Sequence, residues 1–365
     1  MNSDDLTNQL SSRSKSTASL VVALKRLDTI LSIALQAMEA QLGAETVQNP
    51  HRGLYIAPED VARLLSQTPG TSLLWSNAAA PIPTNPLSTR LATLQTRFSL
   101  TTFDLDILLI ALAPLVDSRY DRIYAYLQDD VTKKQPSVDL ALNLLCQSFE
   151  TKLAARDRIA PHSPLIHHQL IQLVEPHPQS SLLNQFLTVD ERMVGFLLGQ
   201  NTPDAHLHNW VHIAREPELL DIPSQKSLHQ TIQSVLRSPE SPTNPPLLYL
   251  LGPDPSTKLE TATAACAAAD LSLLVIQTET LIRQQDIHLA LSLLHREATL
   301  QNALLFWNNA EALTSVDQSS LLHHHFKTGI ISNQPSFISL ASQVPNLPFQ
   351  GTTIPLQFPA PSFEL

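Results

Sequence analysis

The stretch Leu247-Leu-Tyr-Leu-Leu-Gly-Pro-Asp-Pro-Ser-Thr-Lys258 decides the fold of the C-terminal part of this chain. Five apolar residues precede a turn and a helix-forming segment, which is the order of a buried strand, a loop and a helix. Apolar runs of strand length recur at 273–276, 303–307, 337–341 and 353–358, and helical patterns lie at 258–269, 286–298 and 311–325. This alternation predicts a three-layer α/β domain with a parallel sheet over residues 247–365.

The N-terminal part of the chain has the pattern of helices. Residues 1–17 are polar without apolar periodicity, which predicts a disordered tail. From Leu20 to Leu42 apolar residues recur every three or four positions, which predicts a long helix facing the core, with an oligomer seam as the alternative. The spacing of Thr101 and Asp104 is that of a capping box and predicts a helix start. We expect a mainly helical domain over residues 18–200, and an α+β multidomain protein as a whole.

A linker is predicted at Ser238-Pro-Glu-Ser-Pro-Thr-Asn-Pro-Pro246, where turn-forming and polyproline-forming residues crowd together without an apolar position. Residues 201–246 are therefore interpreted as a connecting segment that ends in this linker. The domain boundary is expected at the linker.

Composition excludes several classes of function. The net charge of −10 disfavours attraction to a nucleic-acid duplex. The two cysteines, Cys146 and Cys266, cannot supply a disulfide framework or a cysteine-based zinc site, and the histidine clusters lack carboxylates that would complete a metal site. Residues 1–17 are polar and lack the apolar region that a secretory signal needs, and the longest apolar run, 105–116, is too short to cross a bilayer. We expect a cytoplasmic protein that binds neither metal nor membrane.

The loop after the first C-terminal strand has the position of a phosphate-binding loop but few of its residues. Gly252 and Lys258 are in the register of GxxxxGK[ST]. Thr257 stands in place of the second glycine, Pro255 removes an amide donor, and Leu259 replaces the hydroxyl that ligates magnesium. A degenerate phosphate loop is therefore predicted, with weak anion contact through Lys258 as the alternative.

The strand at 303–307 shows a second departure from nucleotide chemistry. Hydrolysis needs an acidic pair at the end of such a strand, because an aspartate positions magnesium and a glutamate polarises water. Asn308 and Asn309 stand there instead. An amide is neutral and cannot act as a base. We therefore expect no catalytic residues in this chain.

The run Phe103-Asp-Leu-Asp-Ile-Leu-Leu-Ile-Ala-Leu-Ala-Pro114, with Asp117-Ser-Arg-Tyr-Asp-Arg-Ile-Tyr-Ala-Tyr-Leu-Gln-Asp-Asp-Val131 after it, resembles bacterial AAA family ATPases with an N-terminal winged-helix domain. The resemblance implies a winged-helix region, a first AAA module that is often degenerate, and ATP and magnesium as cofactors. Some such proteins are encoded with phage-tail-like contractile injection systems.

Carried over by position, the resemblance assigns nucleotide-site roles to five residues. Lys258 matches the phosphate-loop lysine that follows Gly252, Asn308 and Asn309 match the acidic pair, and Ser342 lies near the polar sensor. The chain stops just after the last core strand, so the helical lid, an arginine finger and the second AAA module have no counterpart. The sequence is thus interpreted as a fragment or as a stand-alone remnant.

These observations predict a non-catalytic adaptor or assembly module of an AAA ATPase system, a pseudo-ATPase that acts through protein–protein contacts. Its partner would be an active AAA subunit or an injection-system component, and a homo-oligomer is left open. One alternative is an ATP-binding, ATP-hydrolysing AAA ATPase that is active only in a longer or partnered form. The other is a winged-helix DNA-binding regulator, which the sparse basic residues of the N-terminal part disfavour.

Overall fold

The computed structural model describes residues 3–42, 61–62, 65–66, 72, 74, 89–214, 223–237, 245–314, 335–341 and 352–359. The chain divides into two compact units, Met1–Thr202 and Pro203–Leu365. No helix in these ranges is both long and apolar enough to cross a bilayer.

The first unit is built mainly from helices, as the sequence predicts. Its helices are α1 (Ser3–Leu42), α2 (Thr89–Arg97), α3 (Thr102–Val116), α4 (Arg119–Leu127), α5 (Val138–Leu145), α6 (Phe149–Ala155), α7 (Pro164–His167) and α8 (Glu191–Leu197). Its strands are β1 (Ile171–Val174) and β2 (Phe186–Val189).

Helix α1 presents its apolar stripe to the core of the first unit. Leu27, Leu31, Ala34 and Met38 are buried, which confirms the predicted core-facing helix. The helix begins at Ser3, so the structure differs from the predicted tail at residues 1–17. That polar run contains neither proline nor glycine, and adding a turn to an existing helix needs no new nucleus.

Helix α3 is the centre of this unit and starts where the sequence predicts. The Thr101 hydroxyl accepts a hydrogen bond from the Asp104 amide at 3.2 Å, and the Asp104 carboxylate accepts one from the Thr101 amide at 2.7 Å. Every residue from Asp104 to Ala113 is buried. Such a helix, apolar on all sides, must be covered by neighbours throughout.

A two-stranded antiparallel hairpin completes the first unit. Strand β1 pairs with β2 in the register Ile171↔Val189 to Val174↔Phe186. Ser137, just before α5, forms an isolated bridge with Phe186. The sequence interpretation did not anticipate this hairpin, because strands of four residues give little periodicity.

The second unit is the α/β domain. Its strands are β3 (Val211–Ile213), β4 (Leu247–Leu251), β5 (Ser272–Gln277), β6 (Ala303–Asn308), β7 (Ser336–Leu340) and β8 (Thr353–Gln357). Its helices are α9 (Pro223–Arg237), α10 (Pro255–Ala267), α11 (Thr278–Leu281) and α12 (Ile287–Gln301), and a 3-10 helix lies at Ala310–Thr314.

Among the described residues these strands form one sheet in the order β3-β5-β6-β7-β4-β8. All neighbours are parallel except β3, which runs antiparallel to β5. One core lies between the sheet and helices α9 and α10, and the other lies between the sheet and α12. Alternate strand residues enter the two cores, so the predicted three-layer arrangement around a mostly parallel sheet is present.

Two predictions about the C-terminal half need qualification. The five predicted strands occur, and their ends differ from the predicted ones by at most one residue. The predicted helix at 311–325 begins as the 3-10 helix, and its remainder lies outside the described residues.

The boundary between the units differs from the predicted one. The division falls between Thr202 and Pro203, whereas the sequence placed it in the linker at 238–246. Residues 201–246, interpreted as a connecting segment, include β3, which pairs with β5, and α9, which packs on α10. Burial of the apolar face of α9, with Ile232 inaccessible to solvent, ties this segment to the sheet.

Candidate functional site

The loop in which a degenerate phosphate-binding site is predicted lies between the carboxyl end of β4 and the start of α10. In open parallel sheets, ligands usually bind at the carboxyl ends of the strands. Strand β4 is an interior strand of the sheet, with β7 on one side and the edge strand β8 on the other. The loop is therefore surrounded by the ends of two other strands.

The Lys258 side chain is turned into this loop. It is 2% exposed, and its ammonium group donates to the carbonyl oxygens of Gly252 at 2.9 Å and Leu340 at 2.8 Å. The Leu340 carbonyl also accepts from the Gly252 amide at 3.1 Å. Burial lowers the pKa of Lys258, and the nearby carboxylates of Glu311 and Asp254 partly oppose that shift. Lys258 thus fastens the loop to the end of β7.

A carboxylate occupies the N-terminus of α10. Asp254 is the N-cap residue, and its side chain accepts a hydrogen bond from the Ser256 amide at 3.0 Å and another from the Thr257 hydroxyl. The hydrogen bond from Thr257 is the main cause that lowers the pKa of Asp254. Pro255 follows at the first helical position, where its missing amide donor is tolerated. The negative charge of Asp254 therefore lies at the positive end of the helix dipole.

Gly252 is in close contact with the segment after β8. Its φ is +156°, and a Cβ atom there would lie 2.7 Å from the Phe358 carbonyl oxygen. The Phe358 amide donates to the Leu251 carbonyl at 2.7 Å, and the Phe358 ring is buried. Only glycine leaves room for this approach.

Asn308 and Asn309 lie at the carboxyl end of β6, on the same edge of the sheet. The Asn308 Oδ1 atom is buried and accepts no hydrogen bond from the described residues. Asn309 is exposed and left-handed at a φ of 51°, a conformation that asparagine tolerates. Nearby, the Glu311 carboxylate accepts the Ala341 amide. Ser342, the predicted sensor position, lies outside the described residues.

The sequence interpretation singled out Gly252 and Lys258 in this loop but did not single out three residues near them, Asp254, Phe358 and Glu311. Asp254 was detectable, because aspartate followed by proline and serine is a helix-start signal. Phe358 and Glu311 were not, since they are remote in sequence from the loop and reach it only through the sheet order.

In the first unit, α6 and the hairpin are two further places where a partner could bind. Helix α6 continues into a 3-10 helix at Arg156–Ile159. The short helix α7 then follows before β1. Phe149 and Leu153, one turn apart on α6, are 47% and 49% exposed. The loop between the strands, residues 175–185, contains no lysine or arginine.

The basic residues of α6 and of the 3-10 helix after it are largely engaged within the unit. The Lys152 ammonium donates to the Asn143 side chain, and the Arg158 guanidinium donates to Asp104 at 2.8 Å. Burial lowers the pKa of Lys152, and Asp139 partly opposes that shift. Arg156 remains exposed on this segment. In the described ranges, no three histidine, cysteine, aspartate or glutamate side chains are grouped so as to hold a metal ion.

A mainly helical unit that contains a two-stranded hairpin, joined to a mostly parallel α/β sheet, defines a winged-helix protein with an added α/β domain. The family described as winged helix domain, variant, matches residues 20–211, just over half of the chain, and the chain belongs to this family. No curated protein matches the chain. A winged helix is a module that binds DNA or other proteins.

Proposed function

We propose that this protein is a non-catalytic adaptor, in which the winged-helix unit is joined to an AAA-like core that no longer uses nucleotide. The observation that carries the proposal is the position of Lys258. Its buried ammonium group already donates to Gly252 and Leu340 and is directed into the protein. A phosphate arriving from solvent would have to break these bonds.

The remaining residues of the loop do not fit magnesium-ATP. Asp254 places a carboxylate at the helix N-terminus, where a phosphate would need to lie, and two like charges repel each other there. Leu259 offers no hydroxyl to magnesium, and Asn308 and Asn309 offer it no charge. We derive no hydrolytic step for this site.

The α6 surface favours a protein partner over DNA. Half-exposed Phe149 and Leu153 present an apolar face of the kind that interfaces bury, whereas DNA binding requires cations free to reach phosphates. Lys152 and Arg158 are engaged by Asn143 and Asp104. The hairpin loop contributes no cation.

The family resemblance suggests the kind of system in which the adaptor acts. We propose an active AAA subunit, or a component of a contractile injection system, as a protein partner. In this proposal the chain contributes surfaces and the partner contributes any hydrolysis.

Calorimetric titration of the full chain with ATP and magnesium, together with an assay of phosphate release, tests the proposal. We expect no saturable binding at micromolar nucleotide and no phosphate release above the buffer. Micromolar affinity with turnover would contradict the adaptor. Lys258→Ala, compared with Lys226→Ala at an exposed position of α9 in the same unit, would then assign that activity to this loop.

Fluorescence anisotropy with labelled duplex DNA tests the alternative regulator. At about 150 mM salt we expect no binding beyond the weak non-specific range of roughly 100 μM. Tight binding that weakens as salt rises, and that is lost in Arg156→Ala, would favour a DNA-binding regulator instead.

A further inference from the structure

The first unit contains a groove between α1 and α4, with a volume of about 560 Å³. Its apolar lining comes from both helices, through Leu31 and Leu35 on α1 and Ile123 and Leu127 on α4. We call this surface the α1–α4 groove. A groove with one apolar stripe from each of two helices is the shape that accepts a third helix.

The charges of the α1–α4 groove are arranged unequally along its length. At one end Arg119 donates to Asp28 at 2.7 Å, so both charges are compensated. Further along, Arg122 on α4 and Glu39 on α1 form no ion pair with the described residues. Residues Asp28 to Glu39 of α1, which line the groove, span about 16 Å along the helix axis. An occupant needs an acidic group near Arg122 and a basic group near Glu39.

The same unit carries a helical surface with these properties. Phe149 and Leu153 are half-exposed on one side of α6, and Arg156 continues that line one turn later. Glu150, fully exposed, flanks the line near the start of the helix. We call these four residues the α6 ridge. Glu150 and Arg156 lie about 9 Å apart along the axis of this segment, and their long side chains can extend beyond that span.

We propose that the α6 ridge of one copy of this chain docks into the α1–α4 groove of a second copy. Phe149 and Leu153 would cover Leu35 and Ile123, the partly exposed apolar residues of the groove, Glu150 would face Arg122, and Arg156 would face Glu39. The inference rests on the proposed function, since it names the first partner of the protein-binding module. Because ridge and groove are different surfaces, the contact is heterologous and extends to a closed ring or an open filament.

Sedimentation of the full chain tests the contact. We expect the average mass to rise with concentration above the 40.2 kDa of one chain. A ridge variant, Phe149→Asp with Leu153→Asp, and a groove variant, Leu35→Glu with Arg122→Glu, should each stay monomeric. Leu289→Asp changes an equally exposed leucine on α12 and should associate like the unchanged chain.

Mixing the two variants separates a heterologous contact from misfolding. The ridge variant keeps an intact groove and the groove variant keeps an intact ridge, so an equimolar mixture should form a dimer of twice the single-chain mass. In addition, Arg122→Glu alone should weaken association at least fivefold, and Glu150→Arg in the same chain should restore it.

Two results would overturn the inference. One is a chain that stays monomeric at every concentration, and the other is a mixture of the variants that forms no dimer. Neither result affects the nucleotide titration, which depends on Lys258 in the second unit. A monomeric chain that binds no nucleotide would thus end this inference and leave the adaptor proposal in place.

Discussion

At Gly252 a side chain has no room. The Cβ atom of an alanine would lie 2.7 Å from the Phe358 carbonyl oxygen and 2.8 Å from the Phe358 Cβ, and both atoms belong to a buried, hydrogen-bonded segment. Gly252 therefore has a structural role that is independent of any phosphate. The loop needs this glycine even if it binds no ligand.

Gly252→Ala should lower the free energy of unfolding by roughly 1–3 kcal/mol, because overpacking and a strained φ act together. Urea titration followed by circular dichroism measures the change. The matched control is Gly195→Ala in α8, where the nearest atom, Oε1 of Gln200, lies 3.1 Å away on a flexible side chain. We expect that control to be neutral or stabilising by up to about 1 kcal/mol. Equal effects of the two substitutions would refute the role assigned to Phe358.

At the same scale, the residues of the site could be predicted only in part. Gly252 and Lys258 were predictable, because their spacing is a local property of the sequence. What Lys258 does was not predictable, since its acceptor Leu340 lies 82 residues away and is brought close only by the pairing of β4 with β7. The partners of a side chain depend on tertiary structure that no local pattern contains.

Among the elements, β3 depends on a buried ion pair for its position next to the sheet. Arg296 of α12 is fully buried and donates to Asp204, which precedes β3. Burial alone would raise the pKa of Asp204, but hydrogen bonds from His206 and the charge of Arg296 lower it overall. The Gln301 amide holds the neighbouring Glu297 carboxylate at 2.8 Å. This network connects α12 to the chain that enters β3.

Asp204→Asn should destabilise the second unit by about 3–5 kcal/mol, because it removes the negative charge to which the buried Arg296 guanidinium donates. Urea unfolding measures the loss, and amide hydrogen exchange in β3 and β5 should rise with it. Asp286→Asn is the control, since asparagine replaces aspartate as an N-cap of α12 at little cost. An Asp204→Asn protein as stable as this control would mean that the ion pair does not hold β3.

The length and burial of each strand explain whether the sequence predicts it. The long buried strands β5 and β6 are continuous apolar runs and were predicted to within one residue. Strand β3 has three residues, two of them exposed, and so has neither an apolar run nor an alternation long enough to detect. The hairpin strands, at four residues each, were missed for the same reason. Short strands are defined by their partners.

For the molecule as a whole, two positions of the boundary between the units can be compared, and each predicts a different stable fragment. Proline-rich composition places it at 238–246, whereas the packing places it at Thr202–Pro203. Between these points lie β3, which covers the edge of β5, and α9, which covers one face of the sheet. A fragment cut at the proline-rich segment would expose both the edge and the face.

We therefore expect the fragment 203–365 to fold cooperatively and the fragment 247–365 to fail to do so. Removing α9 uncovers the apolar surface around Ala262, Ala265 and Cys266, and removing β3 exposes the edge of β5 with which β3 pairs. Urea titration and binding of a dye specific for exposed apolar surface compare the two fragments directly. The shorter fragment should bind the dye strongly and unfold without a sharp transition. If it instead unfolds as sharply and at the same urea concentration as the longer one, residues 203–246 are a connecting segment after all, and β3 and α9 contribute nothing to the α/β domain.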